Sequence, residues 1–189
     1  EDKLKRRGIA GLIFAFKIAG ASSENGATLE QVYDLTLKAN NNLRTIGVAV
    51  SSCILPEVGK PTFELENDEI EIGMGIHGEP GIKREKLRKA DLLVDDLCKI
   101  IFEDFDLSNS DKVSIMINSL GATPLEELYI VSKRVNEIFS KKDIEIVKSY
   151  VGRYATSLEM AGMSISVLKL DDGLKKALLD HSECPFWIN

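Results

Sequence analysis

The residues with the clearest chemical potential are Gly73-Met74-Gly75-Ile76-His77-Gly78-Glu79-Pro80-Gly81, where one of the chain's two histidines sits among four glycines. Glycines this dense let the backbone turn sharply and approach a ligand closely. A hydrophobic core has no use for that, so His77 reads as a presented imidazole. A neutral imidazole can add to an electrophilic carbonyl carbon, as nucleophilic side chains do in covalent catalysis. Backbone N–H groups freed by the glycines would then bind the oxygen that the addition generates. A small ketone or aldehyde could be captured this way without a metal. The competing reading is a turn histidine that hydrogen-bonds the backbone.

Other chemistries fit the same residues less well. Gly73-x-Gly75-x-x-Gly78 matches the dinucleotide-binding spacing, but that motif needs a long helix opening at its last glycine and an acidic residue ending the next strand. Here Pro80 and Gly81 intervene, and Asp95 and Asp96 fall inside the next helical pattern. His77 and Glu79 are two apart and His181 is distant, so no spacing completes a metal shell. No G-x-S-x-G supplies a serine elbow. His181 reads as a helix-end residue near the chain terminus.

The elements that must position the loop follow from periodicity. Leu4, Ile9, Leu12, Ile13, Phe16 and Ala19 recur at helical spacing, predicting an amphipathic helix that ends near Gly20. Thr28 and Gln31 form a capping box that starts a second helix, running to Asn40-Asn41-Asn42. Arg44 to Cys53 is small and β-branched, as a buried strand requires. From Glu69 to His77 the alternation is strict: Ile70, Ile72, Met74 and Ile76 share one face, so His77 leaves a strand on the side opposite the core. Leu87 to Phe105 reads as a helix and Lys112 to Asn118 as a strand. Thr123-Pro124-Leu125-Glu126 predicts a helix with Thr as cap, Pro at the first position and Glu closing a capping box, running to about Lys141. Ile144 to Tyr154 and Met163 to Leu170 read as strands, with a short helix over Asp172 to Asp180. Strand, helix and strand from Lys112 to Tyr154 make one right-handed crossover, so part of the sheet is parallel. The predicted fold is α/β, a mixed β-sheet backed by helices.

Composition sets the outer bounds. With 189 residues, 44% hydrophobic and 29% charged, the chain suits one globular domain. A net charge of -6 argues against a nucleic-acid or anionic-membrane partner. The basic runs Lys3 to Arg7 and Lys83 to Lys89 read as solvated helix faces, although the first could hold an anion. Cys53, Cys98 and Cys184 are odd in number and widely spaced, as reduced thiols of a cytoplasmic protein would be. The basic start followed by Gly8 to Phe16 imitates a secretory signal, but Lys17 interrupts the apolar run, which is also too short to span a bilayer.

The segment Glu71 to Ile82 closely resembles the signature of the dihydroxyacetone kinase substrate-binding family. R-R-G-I-A-G from Arg6, L-P-E-V-G-K-P-T-F from Leu55, N-S-L-G-A-T-P from Asn118, Y-A-T-S-L-E-M-A-G from Tyr154 and L-K-L-D-D from Leu168 resemble family segments in family order. The resemblance covers nearly the whole chain. It implies that His77 holds dihydroxyacetone as a covalent hemiaminal, with Gly75 and Gly78 shaping the loop and Glu79 fixing it. It implies no cofactor and no metal in this chain. ATP, or an ADP recharged by a phosphotransferase relay, would sit on a separate nucleotide-binding L-type subunit or domain.

The resemblance also implies that residues 1–189 are the carboxyl-terminal domain of a larger K-type protein. The family's glycine-rich histidine segment and acid/base aspartate belong to an N-terminal domain that this sequence does not contain. Ile9, Leu12, Ile13 and Phe16 then read either as core packing or as a contact with that domain or with a second subunit, which leaves a homodimer open. Two further readings come with the family. Some K-like paralogues are dihydroxyacetone-sensing coactivators of a transcription factor, and DegV-type lipid-binding proteins share the architecture.

Overall fold

The computed structural model describes residues 6–76, 79–185 and 187–188. Its central element is a six-stranded mixed sheet built from β1 (Leu43–Ala49), β2 (Glu69–Ile72), β3 (Lys83–Lys86), β4 (Lys112–Ser119), β5 (Glu145–Gly152) and β6 (Gly162–Leu170). The strand order is β3-β2-β1-β6-β4-β5, with β4 and β5 parallel and the other neighbours antiparallel. Helices α1 (Gly11–Glu24), α2 (Leu29–Asn41), α3 (Ala90–Asp104), α4 (Leu125–Lys141) and α5 (Asp172–Leu179) complete the α/β fold. None of these described helices is long and apolar enough to cross a membrane.

Two cores lie on opposite faces of the sheet. Met163, Ile165 and Val167 of β6, with Val113, Ile115 and Ile117 of β4, pack with Leu97 and Ile101 of α3 and Val135 and Phe139 of α4. On the other face, Met116, Leu168 and Leu170 pack with Phe14 and Ile18 of α1 and Leu174 and Leu178 of α5. Central strands covered on both faces need few exposed positions, which is why β4 and β6 are buried almost throughout. Helix α1 approaches the sheet closely: a Cβ on Gly11 would lie 2.8 Å from Thr45 Oγ1. Small side chains on that face permit this, and the Thr45 and Ser166 hydroxyls satisfy each other at 2.8 Å.

The predicted crossover is present as β4-α4-β5. The Thr28 capping box forms in both directions, with Gln31 N–H donating to Thr28 Oγ1 and Thr28 N–H donating to Gln31 Oε1. Several expectations need correction. Helix α1 starts at Gly11 and runs past Gly20 to Glu24, because Ile9, at φ 40°, turns the chain before the helix begins. The strand predicted to reach Cys53 ends at Ala49, and the one predicted to reach His77 ends at Ile72. Lys83–Lys86 is not a helix face but an edge strand paired with β2, where charged side chains discourage further pairing. Thr123 does not cap α4; Pro124 holds the cap position, and the Thr123 hydroxyl is taken by Gly162. A short hairpin of β7 (Glu183–Cys184) and β8 (Trp187–Ile188) was not anticipated.

Of the apolar residues on the first segment, Ile9 is buried, Ile13 packs against the α1 core, and Leu12 and Phe16 are exposed, Phe16 by 67%. Core packing therefore accounts for half of that set.

Candidate functional site

The glycine-rich loop leaves the sheet at Gly73. Its φ of +82° is a conformation that L side chains rarely adopt, and it ends β2 by turning the chain away from the ladder. Two backbone bonds clip the stems: Gly73 N–H donates to Gly47 C=O at 2.7 Å and Ile82 N–H to Ile72 C=O at 2.7 Å. Met74 and Ile76 then face the α1-side core, whereas Ile70 and Ile72 face the α3–α4 side. The alternation that suggested one continuous strand is thus divided between two cores.

Inside the loop, Gly75 N–H donates to Glu79 C=O at 3.2 Å. A Cβ on Gly75 would stand 2.1 Å from Glu79 Oε2, so a side chain there would displace the Glu79 carboxylate from its place beside Arg7. The Glu79 carboxylate is paired with Arg7 Nε at 3.0 Å, tying the loop to the segment before α1. At the exit, the buried Glu71 carboxylate accepts Gly81 N–H at 2.6 Å and is paired with Arg84 at 3.1 Å.

A second segment, residues 154–162, buttresses the loop. Asn118, at the end of β4 and fully buried, accepts the N–H groups of Tyr154 (2.7 Å) and Ala155 (2.9 Å) on Oδ1 and donates from Nδ2 to Ala155 C=O (2.8 Å). Thr123 Oγ1 accepts Gly162 N–H at 2.8 Å and donates to Gly162 C=O at 2.7 Å, closing the other end of the segment. Between these anchors, Ser157 Oγ donates to Ile76 C=O at 2.6 Å. The segments beginning at Arg6, Asn118 and Tyr154 are therefore gathered around the loop by the fold. Residues of the Leu55 segment approach as well: Thr62 Oγ1 lies 3.6 Å from Cys53 Sγ, which lies 3.4 Å from Ser157 Oγ.

Of the residues singled out in the sequence, Gly75 and Glu79 lie in the loop just described, and His77 and Gly78 lie outside the described residues. The face assigned to His77 rested on a strand that ends five positions earlier, at Ile72. The loop leads into the edge strand β3 rather than a helix, unlike the dinucleotide motif whose spacing it matches. His181 follows α5 and is exposed, with its N–H on Asp180 Oδ1. Sequence reasoning assigned none of these roles to Arg7, Glu71, Asn118 or Ser157, and it gave Thr123 a different one, the cap of α4. Their partners lie ten to 81 residues away, so no local spacing reveals them.

A three-layer α/β domain with a mixed sheet and a glycine-hinged loop at a strand end is the class that this fold and site define. A family profile described as the Dak1 domain matches residues 1–186, and the chain belongs to that family. It is 47% identical over 167 residues to the "PTS-dependent dihydroxyacetone kinase 1, dihydroxyacetone-binding subunit DhaK" of Listeria innocua, covering 88% of this chain and 51% of that one. The chain spans about half the length of the curated DhaK subunits it matches.

Among solved structures, a dihydroxyacetone kinase operon co-activator superposes with a TM-score of 0.83 at 29% identity, over 90% of this chain and 52% of that one. The native dihydroxyacetone kinase of C. freundii superposes with a TM-score of 0.82 at 30% identity, over 95% of this chain and 33% of that one. The fatty-acid-binding DegV of Bacillus subtilis, at 15% identity and a TM-score of 0.52 over 85% of this chain and 57% of that one, shares the fold alone.

Proposed function

We propose that this chain is the histidine-bearing, carboxyl-terminal part of the dihydroxyacetone-binding subunit of a dihydroxyacetone kinase, and that it works in the cytoplasm. The observation that carries the reading is the family match over residues 1–186, which contains both the 73–81 loop and the 154–162 segment packed on it. In this reading the His77 imidazole lone pair bonds to the ketone carbon while the carbonyl π pair moves to oxygen. The oxygen takes up the proton that the imidazole gives up, leaving a neutral hemiaminal. Look-alikes without a carbonyl are excluded by that bond. Glu79 holds the loop through Arg7, and Gly75 and Gly78 allow the backbone to close around the substrate.

The phosphoryl donor, ATP or a relay-recharged ADP, belongs to a nucleotide-binding L-type partner, and the acid/base group to an N-terminal domain. By itself this chain is then catalytically silent. The test is phosphoryl transfer to dihydroxyacetone by the full-length parent with its nucleotide-binding partner, wild type against His77→Ala. Turnover that collapses in the variant supports a kinase subunit; a variant that still forms the covalent ketone adduct refutes the role of His77.

The superposition on a dihydroxyacetone kinase operon co-activator, at a TM-score of 0.83 beside 0.82 for the kinase, supports a second reading as a ligand sensor on the same fold. Wild-type protein that binds dihydroxyacetone covalently yet never turns over would establish it.

A further inference from the structure

Ser157 reaches the loop at the carbonyl oxygen of Ile76. That carbonyl belongs to the peptide group joining Ile76 to position 77, and a peptide group is planar and moves as one unit. A hydrogen bond that fixes the oxygen therefore restricts the backbone at Ile76. The Ile76 side chain is held as well, because it packs against the α1-side core.

Ser157 is itself immobilised. Its N–H donates to Leu120 C=O at 2.7 Å and its own carbonyl accepts Met160 N–H at 3.0 Å. A carbonyl can only accept, so the Ser157 hydroxyl proton is committed to Ile76, and Ser157 Oγ must act as acceptor toward Cys53 Sγ at 3.4 Å. Cys53 is buried and disulfide-free, and its single thiol proton has two acceptors in reach, Ser157 Oγ at 3.4 Å and, farther off, Thr62 Oγ1 at 3.6 Å, whose own hydroxyl donates to Cys53 C=O at 3.3 Å. With the thiol proton on the nearer acceptor, a chain S–H to O–H to C=O forms, in which each bond polarises the next. A serine that only closed a turn would not need its side chain for this.

Resting on the reading that His77 captures the ketone, we infer that Ser157 is a positioning residue that holds the backbone at Ile76 so that the imidazole meets the ketone carbon. Cys53 sets the direction of its hydroxyl. A preorganised nucleophile favours covalent addition without changing how the substrate's hydroxyls are bound, so removal of Ser157 should separate those two quantities.

The experiment uses the full-length parent and dihydroxyacetone labelled with carbon-13 at the carbonyl, whose NMR signal distinguishes bound ketone from tetrahedral adduct. Ser157→Ala is expected to lower the ratio of adduct to non-covalent complex about five- to tenfold, the scale of one net hydrogen bond. Binding of glycerol, which keeps the hydroxyls and lacks the carbonyl, should stay within twofold of wild type. Ser157→Thr, which keeps the hydroxyl, should restore the ratio, and Cys53→Ala should lower it about twofold. The proposal is overturned if Ser157→Ala leaves the adduct ratio within twofold of wild type, or if glycerol binding falls as far as the ratio, since that is general damage to the pocket. If Ser157→Ala does not fold, Ser157→Cys, which keeps the size and replaces the hydroxyl by a weak donor, takes its place, and a ratio within twofold of wild type there overturns the proposal instead. Failure of the reading beneath is seen separately, as wild type without a tetrahedral signal or His77→Ala with one.

Discussion

Asn118 offers the sharpest test of how the site is built. Its amide satisfies three backbone groups of the segment that carries Ser157, the N–H of Tyr154 and Ala155 and the C=O of Ala155, and it donates weakly to Ser164 Oγ at 3.3 Å. Asn118→Ala removes its hydrogen bonds to all three backbone groups. At about 1 kcal/mol net for each of the three hydrogen bonds removed, the loss is about 3 kcal/mol. For a domain of this size that corresponds to a fall in Tm of about 6–12 °C.

Asn118→Asp discriminates further. The introduced carboxyl still accepts both N–H groups but as a carboxylate faces the Ala155 carbonyl, whereas in protonated form it can donate to that oxygen as the amide does. Its folded pKa should therefore lie above its unfolded one. The folded state then binds the extra proton first, and the stability it adds is present at low pH and lost as pH rises through the folded pKa. Urea unfolding of both variants between pH 5 and 7.5 checks this. A loss under about 1 kcal/mol in Asn118→Ala, or an Asn118→Asp variant that gains on wild type as pH rises, would refute the reasoning.

Two other outcomes are expected. Burial pushes the Asp104 carboxyl upward, but the Arg6 and Arg44 guanidiniums bonded to it outweigh this and hold it below the usual carboxylate range. Its contribution to stability is present above the unfolded pKa of about 3.9 and lost as pH falls through the folded one, so Asp104→Asn should flatten the acid limb of the stability curve below pH 4. Among the thiols, Cys184 is exposed while Cys53 and Cys98 are buried, and burial followed by the nearby Asp95 charge pushes Cys98 up to about 12. A disulfide-exchange reagent at pH 8 should titrate one thiol in the folded protein and three in denaturant; rapid reaction of Cys98 in the folded protein would contradict its placement.

The sequence by itself determined what depends on neighbours along the chain. The Thr28–Gln31 box spans three residues, and both of its bonds form as expected. The apolar runs of β4 and β6, the crossover through α4 and the glycine spacing of the 73–81 loop are likewise local patterns; they sufficed for the α/β class and singled out the loop as a candidate. Tertiary structure decided whatever turned on a partner's position. Thr123 carries a good capping signal, yet its hydroxyl serves Gly162, 39 residues away. The stretch from Ile70 to Ile76 alternates like one strand, but Gly73 sends its two halves into different cores, a division that alternation cannot encode. Lys83–Lys86 has the composition of a solvated helix face and becomes a strand because β2 presents an open edge. Arg7 meets Glu79 and Ser157 meets Ile76 across 72 and 81 residues. Such pairs exist only once the strand order has been set, because the free energy of bringing distant segments together comes from the sheet and its two cores rather than from the pairs themselves.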